Sequence, residues 1–415
     1  MPNLHQLLET PGLISMPPLS GPSSMSIKSS TPAPDSWRTS DRDEPPMHMV
    51  ERLIDSFLLY SSDWGFFLDP ARFRREALLP LPLGHPSRPC PALLAAVYLA
   101  GASLSDTTHE ETFLARALSA LPTSLSGLHP RRTLHVLQAQ VLLANYFFAA
   151  RRFLQGKYHT AAAVSLAMGS GLQMDRRTPQ VPGDPVEEGE RLDACLATFT
   201  LDKAWAAALG EHSNWSGIPW PLERVEHSTY STETGTPSPK TFLAKAAMFW
   251  ERANTLGVCW KSDMGIHESR EFSNAFGALD ESIEDFWHAV ALSSDQSHNI
   301  EFACSIAHVA AIQLHTPFVS SSGQSKQKCI DASTAVLHAI PNTTSTSRGA
   351  YINPIIAPVW GTAFGVALDE IRSGGGDSEL VAVFERGFAG IRAFAGSSPL
   401  MDFHIEKIQD ARSAR

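Results

Sequence analysis

The stretch YHTAAAVSLAMGSGLQMDRR (158–177) decides between two kinds of protein. Gly169-Ser170-Gly171, followed by Arg176 and Arg177, is either a phosphate-cradling turn with an arginine clamp or the stop of a packed helix. Phosphate loops follow a strand and open a helix, so that helix N-terminal N–H groups face the anion. Here the order is reversed, with an alanine-rich helical run before the glycines. Tyr158, Ala161, Ala162, Leu166 and Gly169 share one helical face, and the small alanines are expected to let a neighbouring helix approach closely. A glycine past the last turn takes the left-handed conformation at low cost. The stretch therefore predicts a close-packed helix ended by glycine, with the two arginines near its negative end.

Outward from this helix the same period repeats. Val50, Leu53, Ile54, Phe57 and Leu58 in MVERLIDSFLLYSS fall on one face. PALLAAVYLAGASLSD begins at Pro91, which suits a first helical turn. HEETFLARALSAL carries acids in its opening turn and is expected to end before Pro122. In the long segment before Phe153, Leu134, Leu137, Val141, Ala144 and Phe148 line up. In EEGERLDACLATFTLDKAWAAALG, Leu192, Cys195, Leu196, Phe199 and Trp205 form a stripe that stops at Gly210. Further helical segments run from 241 to the end, interrupted by a Ser/Thr/Asn loop expected at 341–348. Period-two strand segments bounded by hairpin turns are missing, and no repeat of about 30–50 residues stands out. The expectation is an all-α, multihelical, bundle-like domain. It divides into a disordered Pro/Ser/Thr-rich leader (1–47), an N-terminal helical half (48–222), a flexible linker (223–240) and a C-terminal helical half (241–415).

Composition narrows the function. The chain has 415 residues and a formal net charge of −10, with no block of Lys and Arg. Nonspecific nucleic-acid binding needs a basic surface to displace counterions. The five cysteines contain no Cys-x-x-Cys pair, so they read as buried free thiols of a reducing compartment rather than zinc ligands. No secretory signal opens the chain, and the longest apolar run (91–104) is shorter than a membrane span of about 20 residues. A soluble intracellular protein without membrane contact is expected.

Candidate chemistry is sparse. THEET and IHESR do not complete His-Glu-x-x-His, and Cys304, His308 and His315 read as core or helix-end groups rather than metal ligands. Asp280, Glu281, Glu284 and Asp285 read as a solvated face, two of them in the opening turn of a helix. No Gly-x-Ser-x-Gly elbow occurs, and no sequence spacing supports a Ser-His-Asp triad. The expectation is a protein that is not an enzyme.

The order of segments resembles the middle homology (regulatory) region of fungal zinc-cluster transcription factors, in a form common among mushroom-type fungi. GKYHTAAAVSLAMGSGLQMDR is similar to the family's Gly, aromatic, Ala-Val-x-Leu-Ala and Gly-Leu pattern. EEGERLDACLATFTLDKAWAAALG resembles the next helix, which carries Gly-Glu-Arg, a Phe-Trp pair, Leu-Asp-Arg/Lys and Leu-Gly. FLAKAAMFWERANTLG, IAHVAAIQLHTPF with SKQKCIDAS, and FAGSSPLMDFHIEKIQ resemble later segments, the last two carrying Leu-His-x-Pro-Phe, Lys-Cys-Ile/Leu and Pro-Leu-Met. The likeness spans about residues 50–410. Two departures stand out: Cys195-Leu196 replaces the Phe-Trp pair, and the six-cysteine cluster with its basic linker and coiled coil is missing.

The resemblance implies nuclear location, control of RNA polymerase II genes, dimerisation with itself or other transcription factors, and response to a small effector or partner. In the family, DNA contact comes from the zinc module, in which a helix enters the major groove. This chain would then hold no cofactor and touch DNA only indirectly or through a missing module, the sequence being either a gene model that lacks an upstream exon or a cluster-less paralogue. Tyr146, Arg191 and Trp205, aromatic and charged groups on the motif helices, are effector-pocket candidates. Their alternative is ordinary packing and surface ion pairing. A helical scaffold that pairs with zinc-cluster factors without contacting DNA is the second reading.

Overall fold

The computed structural model describes residues 44–105, 109–127, 131–172, 184–215, 238–261, 263–293, 297–346 and 351–413. Among these are fourteen α-helices and no strand. In chain order they are α1 (Met47–Leu58), α2 (Pro70–Ala77), α3 (Pro91–Leu104), α4 (Glu110–Ser126), α5 (Arg132–Ala149), α6 (Phe153–Gly169) and α7 (Pro185–Leu209). There follow α8 (Pro239–Cys259), α9 (Ile266–Leu292), α10 (His298–His315), α11 (Gly323–Thr346), α12 (Ile356–Arg372), α13 (Ser378–Ile391) and α14 (Pro399–Ser413). Several starts are written locally. Asp69, Asp184, Ser238 and Asp377 each accept a backbone N–H of the first turn, and Pro70, Pro91, Pro185 and Pro239 stand where no N–H is needed.

Helix α5 is the axis of the first half. From Leu134 to Ala149 every residue but Tyr146 is buried, so its neighbours enclose it on all sides. α3, α4, α6 and α7 pack on it, and α14 returns from the far end of the chain to meet it. In the second half α8 and α10 form the most extensive helix pair, extended by α11, α12 and α13. One continuous apolar cluster runs from Met49 to Ile408, with a small satellite at Ile312, Cys329, Ala332 and Val366.

The opening stretch ends as a helix stop. Gly171 takes φ +67, its N–H reaches the Met168 carbonyl, and the Leu172 N–H reaches that of Ala167. Its packing face differs from expectation. Tyr158 and Gly169 are exposed, Ala161 and Ala162 are half-buried, and the buried residues are Gly156, His159, Thr160, Ala163, Val164 and Ala167. Polarity misled the reading, because two polar side chains find partners inside. His159 Nδ1 lies 2.6 Å from Gln140 Oε1, with its ring stacked on Phe147, and Thr160 donates to the Gly156 carbonyl at 2.9 Å. Arg176 and Arg177 lie outside the described residues.

Other boundaries shift as well. α4 continues through Pro122, whose missing N–H frees only the carbonyl of partly exposed Leu118, and α11 continues through Pro341. The acids at 280–285 sit within α9 rather than in its opening turn, because that helix begins at Ile266, where Glu268 reaches back to the Gly265 N–H. Of the expected leader, residues 1–43 lie outside the described residues, but Glu44 belongs to the fold. It holds buried Arg88 at 2.6 and 2.8 Å and accepts from Tyr98 at 2.9 Å. Of the expected linker, residues through 237 lie outside the described residues, while Ser238 to Lys240 cap and open α8. Cys90, Cys195 and Cys329 are buried as expected; Cys259 is exposed and Cys304 is half-buried.

Candidate functional site

The segment between α1 and α2 carries no helical period, yet Trp64, Phe66, Phe67 and Leu68 are buried. Its backbone needs partners there, and two polar residues of α5 supply them. Gln138 Oε1 accepts from the Phe67 N–H at 2.7 Å while its amide donates to the Gly65 carbonyl, and Asn145 Nδ2 donates to the Trp64 carbonyl at 3.0 Å. The second half of the chain meets the same segment. Tyr351 stacks on Trp64 with centroids 4.2 Å apart, and His298 Nε2 lies 3.4 Å from Asp63. That carboxylate, the largest influence, raises the His298 pKa against the opposing effect of burial.

At this junction lies a cleft enclosing about 80 Å³. Its apolar wall comes from α5 (Val141), α7 (Leu196, Leu201, Trp205), α8 (Leu243), α10 (Phe302) and the 62–67 segment. Polar groups are few: Ser62, Asn145, Thr200, Lys240, Asn299 and Asn353. A mostly apolar concavity with a few convergent polar groups has the composition of a small-molecule site. Asn145 is 2 % exposed, and its Oδ1 has no hydrogen-bond partner. Two more open grooves, of about 500 and 450 Å³, are crossed by the ion pairs Lys203–Glu251 and Lys326–Glu370.

Of the three sequence candidates, Trp205 alone lines the cleft. Its ring stacks on Phe148 at 3.8 Å, and Phe148 in turn covers Gly156. Tyr146 donates to Glu110 at 2.6 Å; burial first, and then that carboxylate, raise its pKa. Arg191 is half-buried near the start of α7, away from the cleft lining. Sequence reading missed Asn145 and the 62–67 segment. The available signal was an asparagine in the mostly apolar second half of α5 (141–149), which had to be satisfying something.

The acids read as a solvated face include one with a different role. Asp280 binds Lys328 at 2.9 Å and His315 Nε2 at 3.1 Å, while His315 Nδ1 faces Ser325 Oγ at 3.1 Å. The His315 bond and then Lys328 hold the Asp280 carboxyl below its ordinary range, against desolvation. The residues form a Ser-His-Asp chain, but Ser325 and His315 line none of the three concavities, and Lys328 already neutralises the carboxylate. The arrangement ties α9, α10 and α11 together. His308 is stacked on Trp287 at 4.2 Å, and burial depresses its pKa to about 4. Among the described residues no group of three or more His, Cys, Asp or Glu could hold a metal ion, and no helix is long and apolar enough to cross a membrane.

Compared with protein families, curated proteins and solved structures, the chain gives no match to any of the three.

Proposed function

We propose that this chain is the helical regulatory region of a fungal zinc-cluster-type transcription regulator, acting in the nucleus on RNA polymerase II genes. Its state would be set by a small effector in the central cleft. One observation carries the effector part: the cleft opens where both halves of the chain meet, so an occupant touches elements of each. An effector shifts an inactive–active equilibrium only by its differential affinity for the two states, and a junction is where such a difference can arise.

The motif order supports the family part, and several motif residues have structural work. Gly156 receives the Phe148 ring, His315 ties three helices, and Trp205 walls the cleft. Leu196, at the site of the family's Phe-Trp pair, lines the cleft as well. A smaller side chain there leaves space that an aromatic ring would occupy. In this reading DNA contact belongs to a zinc module not encoded in this sequence, and the chain itself performs no catalysis.

A reporter fusion tests the proposal. Joined to a heterologous DNA-binding module, the chain should change transcription from that module's site, and Ala197→Phe, which fills the cleft, should change the output again. Output equal to the module alone, with and without the substitution, would overturn the reading. If the fusion is silent but the free chain lowers the output of an intact zinc-cluster factor, the scaffold reading takes its place.

A further inference from the structure

The outer face of α6 carries no charge, and we propose that a second copy of this chain covers it, helix against helix. A helix that meets solvent on one side normally shows charged and polar residues there. On α6 the side away from the core presents Leu154, 77 % exposed, and Tyr158, 67 % exposed, followed by Ala161, Ser165 and Gly169. At 3.6 residues per turn these five lie within about 80° of one another. Buried Gly156, His159, Ala163 and Ala167 lie on the opposite side, where α5 and α7 pack. Lys157, at the edge of the outer face, is turned to Glu211 at 2.6 Å. Tyr158, Ala161 and Gly169, which the sequence marks as a contact face, therefore point away from this chain's own core. The proposal stands apart from the functional reading above.

Shape selects a copy of the same face. The bulky residues stand in the first half of the helix and the small ones in the second. A Cβ at Gly169 would meet nothing within 4 Å, so that end is open to an incoming side chain. Laid antiparallel about a two-fold axis at Ala161 and Ala162, two such helices set Leu154 of each against Gly169 of the other, and Tyr158 against Ser165. The contacts are reciprocal, as a two-fold interface requires. Charge agrees. Exposed Arg152 caps α6 at the end where the helix dipole is already positive, and its contact within the chain is the Phe147 ring at 4.6 Å. The antiparallel neighbour brings its negative end there, at Ser170 and Gly171. Two copies of a chain with net charge −10 also repel least across a face without acids. The 17-residue helix is about 25 Å long and 10 Å wide, well short of the roughly 800 Å² a side of a standard interface. The pair is therefore a weak one that concentration controls.

Sedimentation velocity on the intact chain, over about a hundredfold range of concentration, should show monomer giving way to dimer. Leu154→Glu and Tyr158→Glu each change an exposed side chain, so the melting temperature of the dilute protein should hold. Each should weaken the dimer roughly tenfold or more, because it leaves an unpaired charge in the contact. Diamide oxidation reads the orientation, in a Cys259→Ser background that removes the exposed native thiol. Ala161→Cys, beside the axis, should give a disulfide-linked dimer. Leu154→Cys should not link to itself but should link to Gly169→Cys when the two are mixed. Monomer at every concentration, a dimer indifferent to both glutamates, or self-linkage of Leu154→Cys would overturn the proposal. A monomer that Leu154→Glu destabilises would overturn it too, since the chain's own residues would then cover the face.

Discussion

At Gly156 a Cβ would lie 2.6 Å from the Phe148 ring, which is itself stacked on Trp205. Neither aromatic can swing aside without disturbing α5 or α7, since Phe148 is 0 % and Trp205 3 % exposed. Gly156→Ala gains a little helix propensity but overpacks this stack, so a net loss of roughly 1–3 kcal/mol is expected. Urea unfolding monitored by circular dichroism would show it as a lowered midpoint, and an unchanged midpoint would mean the stack yields. Trp205 is thus both a wall of the cleft and a packing partner. Its replacement tests stability before it tests effector response, which is why cleft-filling at Ala197 is the cleaner probe.

Among the elements, the Asp280–His315–Ser325 chain is the tie with a measurable share. Removing His315 leaves Asp280 its contact with Lys328 but strips Ser325 Oγ of its partner in a buried place. His315→Ala should cost about 1–3 kcal/mol in chemical denaturation. Lys328→Ala should cost less, because its ammonium is more exposed and Asp280 keeps the imidazole. Equal small effects for both would remove the tie.

The helices themselves were legible because their periods, proline starts and caps are local properties of the chain. Their outward and inward faces were less so, as α6 shows. His159 and Thr160 were not on the expected packing face, yet each is buried against a partner that other turns supply. The cleft was the least legible part. Trp205 carried a signal, but Asn145 became informative only once the aperiodic 62–67 segment was seen to need its amide, a contact 81 positions apart in the chain.

For the molecule as a whole, buried imidazoles set the acid response. Burial lowers the pKa of His159 and His308 to about 4 and that of His404 to about 3, from an ordinary 6.5. Between pH 6.5 and about 4 the unfolded chain therefore binds protons that the folded one refuses, so stability falls with pH, with a slope approaching three protons. His298 opposes this. Its raised pKa adds stability below its unfolded value that is lost as pH rises through the folded one. Asp280, with its lowered pKa, loses its contribution only below that window. Melting temperatures from pH 7 to 4.5 should decline throughout, and a flat profile would mean these imidazoles are hydrated.

The return of α14 to α5 has a consequence for synthesis. Arg151, in a left-handed conformation with φ 59 just past the end of α5, lies over the Phe403 ring of α14 at 4.0 Å, and His404 fits against Gly361 of α12. The ribosome makes α14 about 250 residues after α5, and at roughly 5–20 residues per second the finished α5 waits on the order of tens of seconds for it. Until α14 emerges, the C-terminal end of α5 and one side of α12 stay uncovered on the nascent chain. A premature stop before Pro399 would leave them so for the lifetime of the product, making the late-translated turns of α14 decide whether quality control accepts it.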